Sequence, residues 1–191
     1  MSVNSSGQLQ MPFGAAIIPQ GRLTLATGTP VMTSAQTSKT TLYYTAYLGN
    51  VVPVYNGTVW TLMTFSSDLS NITTNSSTGS AGPAAVTTNS NYDLFVWSNS
   101  GTLTLTSGPA WTSDTARGTG AGTTQISMQN GIWVNTVAIT NGPGANLGTY
   151  VGTVRSDGSS QLNWHTGGKA NGGTAALLNV WNSYNRVNVT A

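Results

Sequence analysis

The chain has 191 residues, of which six are Lys or Arg, four are Asp, none is Glu and one is His, for a formal net charge of +2. Charged residues make up 5% of it, against about a quarter in an ordinary soluble domain. Chemistry that moves protons, phosphates or electrons draws on clustered carboxylates, imidazoles or thiolates; with no cysteine either, the composition argues against an enzyme, a metal site or a bound cofactor.

Residues 1–21 read as an arm. Ser2, Asn4, Ser5, Ser6 and Gly7 give way to apolar Leu9, Met11, Phe13, Ile17 and Ile18, interrupted by Pro12, Gly14 and Pro19, and neither a helical nor a strand period fits the spacing. These five apolar side chains are the expected docking residues, set against a neighbouring subunit or another component of an assembly. From residue 22 to 191 the punctuation is that of one β-rich domain, a length that all-β folds commonly hold undivided. A hydrophobic fraction of 38%, with six Trp and seven Tyr, is enough to build its core.

Within that domain, β-rich runs at 51–55 and 58–65 flank Asn56-Gly57, the dipeptide favoured in a type I′ hairpin. Residues 92–97 and 102–106 make a second hairpin across 98–101, and 125–128 and 132–135 a third around Asn130-Gly131. A fourth joins 149–155 to 161–164 through Asp157-Gly158. The stretch 69–86, rich in Ser, Thr and Asn, reads as a long loop. Near the C-terminus a strand is expected through Leu178 and Val180, then a turn or short helical piece at 181–185 and a second strand at 186–190. Four hairpins imply an all-β antiparallel sandwich or jelly-roll-like domain carrying an extended N-terminal arm.

Candidate site residues are few. His165 stands at a predicted strand end with no His or Cys company for a metal and no orienting acid beside it in sequence. The four Asp have plainer readings. Asp157 belongs to turn chemistry with Gly158, Asp114 to a turn close to Arg117, and Asp93 is expected to face an arginine across the sheet. A glycosidase pair built from Asp alone is the weaker alternative. The glycines at 118–122 and 167–168 are not followed by the Lys-Ser or Lys-Thr of a phosphate-binding loop. Five of the tryptophans, Trp60, Trp97, Trp133, Trp164 and Trp181, lie in or beside predicted strands, where core packing is the default. Trp111, on a turn within 108–113, is the candidate for stacking on a glycan ring.

Partners are narrowed by the same counts. Arg22, Lys39, Arg117, Arg155, Lys169 and Arg186 are scattered and form no basic run, so nucleic acid is not an expected partner. No stretch has the length of a membrane span, and the first residues lack the basic and apolar regions of a secretion signal, so neither membrane insertion nor general-pathway export is expected. Solubility rests on Ser, Thr and Asn, roughly a third of the chain. Such a surface repels its own copies weakly and can be buried in an assembly without stranding ions. A homo-oligomer is expected, with the trimer as its form.

The chain resembles a recurrent type of tailed-bacteriophage structural protein. The resemblance is carried by Gly21-Arg-Leu-Thr-Leu-Ala-Thr-Gly-Thr-Pro-Val-Met-Thr33, by Thr41-Leu-Tyr-Tyr-Thr45 with Val54-Tyr-Asn-Gly-Thr-Val-Trp60, and by Tyr92-Asp-Leu-Phe-Val-Trp97. It continues in Gly108-Pro-Ala-Trp-Thr-Ser-Asp114, Gly148-Thr-Tyr-Val-Gly-Thr-Val-Arg155 and Trp181-Asn-Ser-Tyr-Asn-Arg-Val187. It spans nearly the whole chain and implies a setting, the surface of a phage particle assembled in the host cytoplasm, but brings no catalytic residues. Within that setting the first expectation is a non-enzymatic head decoration or head-fibre protein, docked through residues 1–21 to capsid or tail proteins. The second is a tail-fibre or spike component that binds bacterial surface glycans, and the third a polysaccharide-cleaving enzyme.

Overall fold

A computed structural model describes residues 2–3, 5–7, 9–11, 17–74, 85–119, 122–168 and 172–187. Among them there is no helix; sixteen strands form an all-β, antiparallel architecture of four sheets. The first sheet orders β1 (Ser2–Val3), β2 (Leu9–Met11), β7 (Trp60–Thr64) and β6 (Val51–Tyr55). The second orders β3 (Gly21–Thr24), β5 (Thr41–Ala46) and β8 (Leu69–Ile72), and the third β15 (Leu177–Leu178), β14 (Leu162–His165) and β4 (Gln36–Lys39). The largest orders β10 (Thr102–Ala110), β9 (Asn91–Asn99), β13 (Thr149–Arg155), β12 (Ile132–Asn135) and β11 (Ile126–Gln129), with β16 (Val180–Asn182) on β13.

All four sheets feed one apolar cluster, to which β3 contributes Leu23, β5 Leu42 and Tyr44, β6 Val52 and Val54, β9 Tyr92, Leu94 and Val96, and β14 Leu162. Alternation along β9 sends Tyr92, Leu94 and Val96 into this core and leaves Asp93 and Phe95 on the other face of the sheet. Phe95 is covered there by a second small cluster with Ile139 and Tyr150. Both faces of β9 are therefore buried, and its outward face is where the polar chemistry collects.

Three of the four expected hairpins form. In the β9/β10 hairpin Asn99 pairs with Thr102, and in the β11/β12 hairpin Gln129 pairs with Ile132. Their two-residue loops, Ser100-Gly101 (φ 52° and 92°) and Asn130-Gly131 (φ 50° and 89°), have the positive φ at both positions that a type I′ turn demands. The β6/β7 hairpin forms by another route. Tyr55 pairs with Trp60 across a four-residue loop, and Asn56 Oδ1 accepts the N–H groups of Thr58 (3.0 Å) and Val59 (2.9 Å). Asn56 caps this turn with its side chain instead of entering the left-handed region.

The fourth hairpin is a correction. β13 pairs with β9, β12 and β16, whereas β14 pairs with β4 and β15. Asp157 does close a turn, accepting from the Ser159 and Gln161 N–H groups at 2.8 and 2.9 Å, but the strands on either side leave it for different sheets. Leu69–Ile72, expected as loop, is strand β8 against β5; residues 75–84 of the expected loop lie outside the described residues. At the C-terminus the single strand expected through Leu178 and Val180 is two, β15 on β14 and β16 on β13, and β16 runs on through Trp181 and Asn182. Residues 183–185 bend without a helix and 186–187 carry no strand; residues 188–190 lie outside the described residues.

The arm also departs from its reading as periodless. Ser2–Val3 pairs with Leu9–Met11, which pairs in turn with Thr61 and Trp60 of β7, so its backbone takes strand form from the open edge of the first sheet. Ile17 is half-buried and Ile18 exposed; Phe13 lies outside the described residues.

Candidate functional site

The largest sheet carries an open cleft of about 540 Å³ on the face turned away from the core. Its floor is β13. Val151 and Val154 both point into the main core although they lie three positions apart, because the register against β9 shifts between Tyr150 and Gly152. This bulge resets the alternation and lets Tyr150, Thr153 and Arg155 all line the cleft.

One wall is residues 111–117. Trp111 extends the β9/β10 ladder, its N–H donating to the Asn91 carbonyl at 2.9 Å. A turn then closes on Ser113, which donates to the Ala116 carbonyl through its N–H (3.2 Å) and accepts the Ala116 N–H on its hydroxyl (3.1 Å). The turn leaves Asp114 exposed at the tip and returns Arg117 over the Trp111 ring, guanidinium carbon 4.3 Å from its centroid. The opposite wall comes from β12 and β16. Trp133 lines it, and the Trp133 N–H donates to the Tyr184 hydroxyl at 3.1 Å. Trp181, in register with Thr153, is 61% exposed. Arg186 completes this side.

Two ion pairs brace the wall against the floor. Asp93, fully buried, accepts from Arg117 Nε at 2.7 Å and Nη2 at 3.2 Å, and from the Thr153 hydroxyl at 2.7 Å. Burial of Arg117 works against its charge, but the hydrogen bond and charge of Asp93 outweigh it and hold the guanidinium above its ordinary pKa. Burial, then the Asp93 charge, push the Tyr150 phenol up. At the tip, Arg155 grips both oxygens of Asp114, at 2.5 and 3.2 Å, and that hydrogen bond keeps the carboxyl below its usual range.

The sequence-predicted residues fall on both sides of this boundary. Trp111 does line the cleft, but it is half-buried with one face under Arg117; the freely exposed aromatic is Trp181, which strand position alone assigned to the core. Trp60 is fully buried, as expected of a core tryptophan. Asp93 meets an arginine, though from the wall segment and not from across the sheet. Arg117, Arg155 and Arg186, which form no run in the sequence, are brought to one cleft. The signal for Trp181 was the alternation of Val180, Trp181 and Asn182, which puts Trp181 on the face opposite buried Val180.

The arm residues Leu9 and Met11 belong to β2, and neither Ile17 nor Ile18 lines the cleft. His165 is buried on β14, its Nδ1 without a hydrogen-bond partner among the described residues, and it is not among those that line the cleft. Among the described residues no three His, Cys, Asp or Glu side chains gather as metal ligands, and no helix is long and apolar enough to cross a membrane.

The cleft can therefore bind by apolar contact from Trp133, Trp181 and Tyr150, and by hydrogen bonds from Asn91, Asp114, Arg155 and Arg186. Comparison with family models, with curated proteins and with solved structures returned no match to this chain.

Proposed function

We propose that this chain is a non-enzymatic surface subunit of a tailed-phage particle, and that its work there is to bind bacterial surface saccharide in the cleft of the largest sheet. The observation that carries the recognition half is the meeting of exposed Trp181 with Trp111, Trp133 and Tyr150 beside a bidentate Arg155–Asp114 pair. A sugar ring offers an apolar C–H face and a rim of hydroxyls. Aromatic rings cover the first, and a carboxylate and guanidinium satisfy the second.

Binding fits this geometry better than cleavage. Glycoside hydrolysis takes two carboxyl groups across the scissile bond, one with a raised pKa to serve as acid. Asp114 is the only carboxylate among the described cleft-lining residues, and it is ion-paired and held ionised. Asp93 is sealed beneath Arg117.

The test is binding of the purified chain to cells and extracted surface polysaccharide of the bacterium that the particle infects. Trp181→Ala is expected to weaken binding by at least tenfold, in the range of a buried aromatic anchor, while the melting temperature stays within about 2 °C because the ring is mostly exposed. No binding to any surface polysaccharide, or binding unchanged in Trp181→Ala, would overturn the recognition reading.

Head decoration through residues 1–21 is the second reading, favoured by the apolar arm and by exposed Ile18, Tyr47 and Leu48; Leu48 hydrogen-bonds to Gln20, next to where that arm leaves the domain. It predicts many copies over the capsid, lost when residues 1–21 are deleted. Copies confined to the tail or to one vertex would exclude it.

A further inference from the structure

We infer that the saccharide taken by this cleft is acidic, and that Arg186 is the counter-charge for its carboxylate or phosphate group. The inference rests on the saccharide-binding reading above and adds the chemical class of the ligand.

The argument is a charge balance. All four carboxylates of the chain are committed. Asp68 accepts from the Thr27 hydroxyl and the Gly28 N–H at 2.8 and 2.7 Å, and Asp157 from the Ser159 and Gln161 N–H groups and the Asn163 amide. Asp93 is held by Arg117 and Asp114 by Arg155. Of the three arginines that line the cleft, two thus have a carboxylate partner. Arg186 is exposed and makes no ion pair with any described residue. Among the described residues, the cleft therefore has one arginine without a carboxylate partner, on a chain with six Lys and Arg.

That charge is also held in place. Its neighbour Asn185 adopts φ 53°, donates to the carbonyls of Pro19 (2.8 Å) and Gly21 (3.1 Å), and accepts from Arg22. Tyr184, one residue earlier, accepts the Trp133 N–H. The backbone that carries Arg186 is therefore pinned to β3 and β12 before any ligand arrives, which lowers the ordering cost of binding. Only the side chain stays free, and a guanidinium fork matches a carboxylate or phosphate in two parallel hydrogen bonds.

The experiment is calorimetric titration of the purified chain with three oligosaccharides of matched length: a neutral one, one containing uronic acid and one substituted with phosphate. At least one acidic probe is expected to bind about tenfold tighter than the neutral one, the worth of a charge-assisted contact, and to lose that advantage as salt is raised. Arg186→Gln is expected to bring the acidic probes to the affinity of the neutral one, and Arg186→Lys to restore part of the preference. The uronic-acid and phosphate arms separate the two sources of charge. Equal binding of all three probes, or an acidic preference that survives Arg186→Gln, overturns this inference and leaves the saccharide reading standing. Failure of every probe to bind a folded chain removes both.

Discussion

Gly152→Ala should peel β16 from β13 and open the cleft wall. A Cβ at this position would lie 2.1 Å from the Trp181 carbonyl oxygen, 3.1 Å from its carbon and 2.8 Å from Leu23 Cδ1. Ordinary contact starts near 3.4 Å, so backbone has to move by about 1.3 Å, and no side-chain rotation relieves a clash with a carbonyl. β16 pairs with β13 at three positions, Gly152 with Asn182, Thr153 with Trp181 and Val154 with Val180, and is otherwise tied to β3 through the Asn182 side chain. A shift of that size takes ladder bonds out of range. Overpacking at about 1–3 kcal/mol and one or two lost hydrogen bonds at about 1 kcal/mol each sum to about 2–5 kcal/mol. For a chain of this length that lowers the melting temperature by on the order of 10 °C. Thermal unfolding followed by circular dichroism measures this, and faster hydrogen exchange at the amides of 180–182 locates it. Gly158→Ala is the control, since the nearest atom to its Cβ is 4.0 Å away, and it should be neutral or stabilising by up to about 1 kcal/mol. A Gly152→Ala chain melting within about 2 °C of the parent, with unchanged exchange at 180–182, would refute the reasoning.

Asn182→Ala should cost about 2–4 kcal/mol in chemical denaturation, because the Asn182 amide serves as strand partner to buried Leu23, accepting its N–H at 2.6 Å and donating to its carbonyl at 3.1 Å. Arg117→Ala should cost about 2–3 kcal/mol, less than a wholly buried pair because the guanidinium side chain is 30% exposed, and replacing Asp93 and Arg117 together should cost less than removing Arg117 alone. In pH dependence, Asp114 and Asp157 sit below the ordinary value of 3.8, the first through Arg155 and the second because N–H donors outweigh its desolvation. Their contribution is full above that value and is lost as pH falls through the depressed ones, so unfolding free energy should drop below about pH 4, with a shallower acid limb in Asp157→Asn. Burial raises the phenols of Tyr44, Tyr150 and Tyr184, so stability should hold up to the ordinary tyrosine value and fall above about pH 10.

What could be read from the chain was local. Alternation and turn dipeptides located β6, β7 and β9 to β12 because each hairpin closes within a few residues. Asp157-Gly158 misled for the same reason: a carboxylate that collects two N–H groups closes a turn whichever sheets the flanking strands join. β8 was hidden because of its four residues only Ile72 favours a strand and Asn71 disfavours one, so that pairing with β5 is what extends the segment. The cleft is the least local feature. Its lining runs from Asn91 to Arg186, and its floor depends on a bulge that shifts side chains by one position, which no periodicity in 149–155 announces. Trp111 was visible through the turn chemistry around it, whereas Trp181, on a three-residue strand, had no phase until β13 supplied one.

The scarcity of charge takes on a different meaning once the ion pairs are placed. A buried pair such as Asp93–Arg117 is commonly no more stabilising than apolar side chains of the same volume, so stability is a weak reason to keep one in a chain with ten charged residues. Geometry is a stronger reason. Asp93 and Thr153 fix Arg117, and Arg117 in turn lies 4.3 Å from the Trp111 ring centroid and 5.8 Å from that of Tyr150. The second pair, Arg155–Asp114, ties the tip of the same wall to the end of the same strand. Hydroxyls alone on a wall segment that otherwise offers Thr112, Ser113 and Thr115 would position neither residue this firmly, because neutral hydrogen bonds are weaker and less directional than a guanidinium fork. Four of the ten charged side chains thus brace the wall of an aromatic cleft, a use that favours recognition of a ligand over passive packing against neighbours.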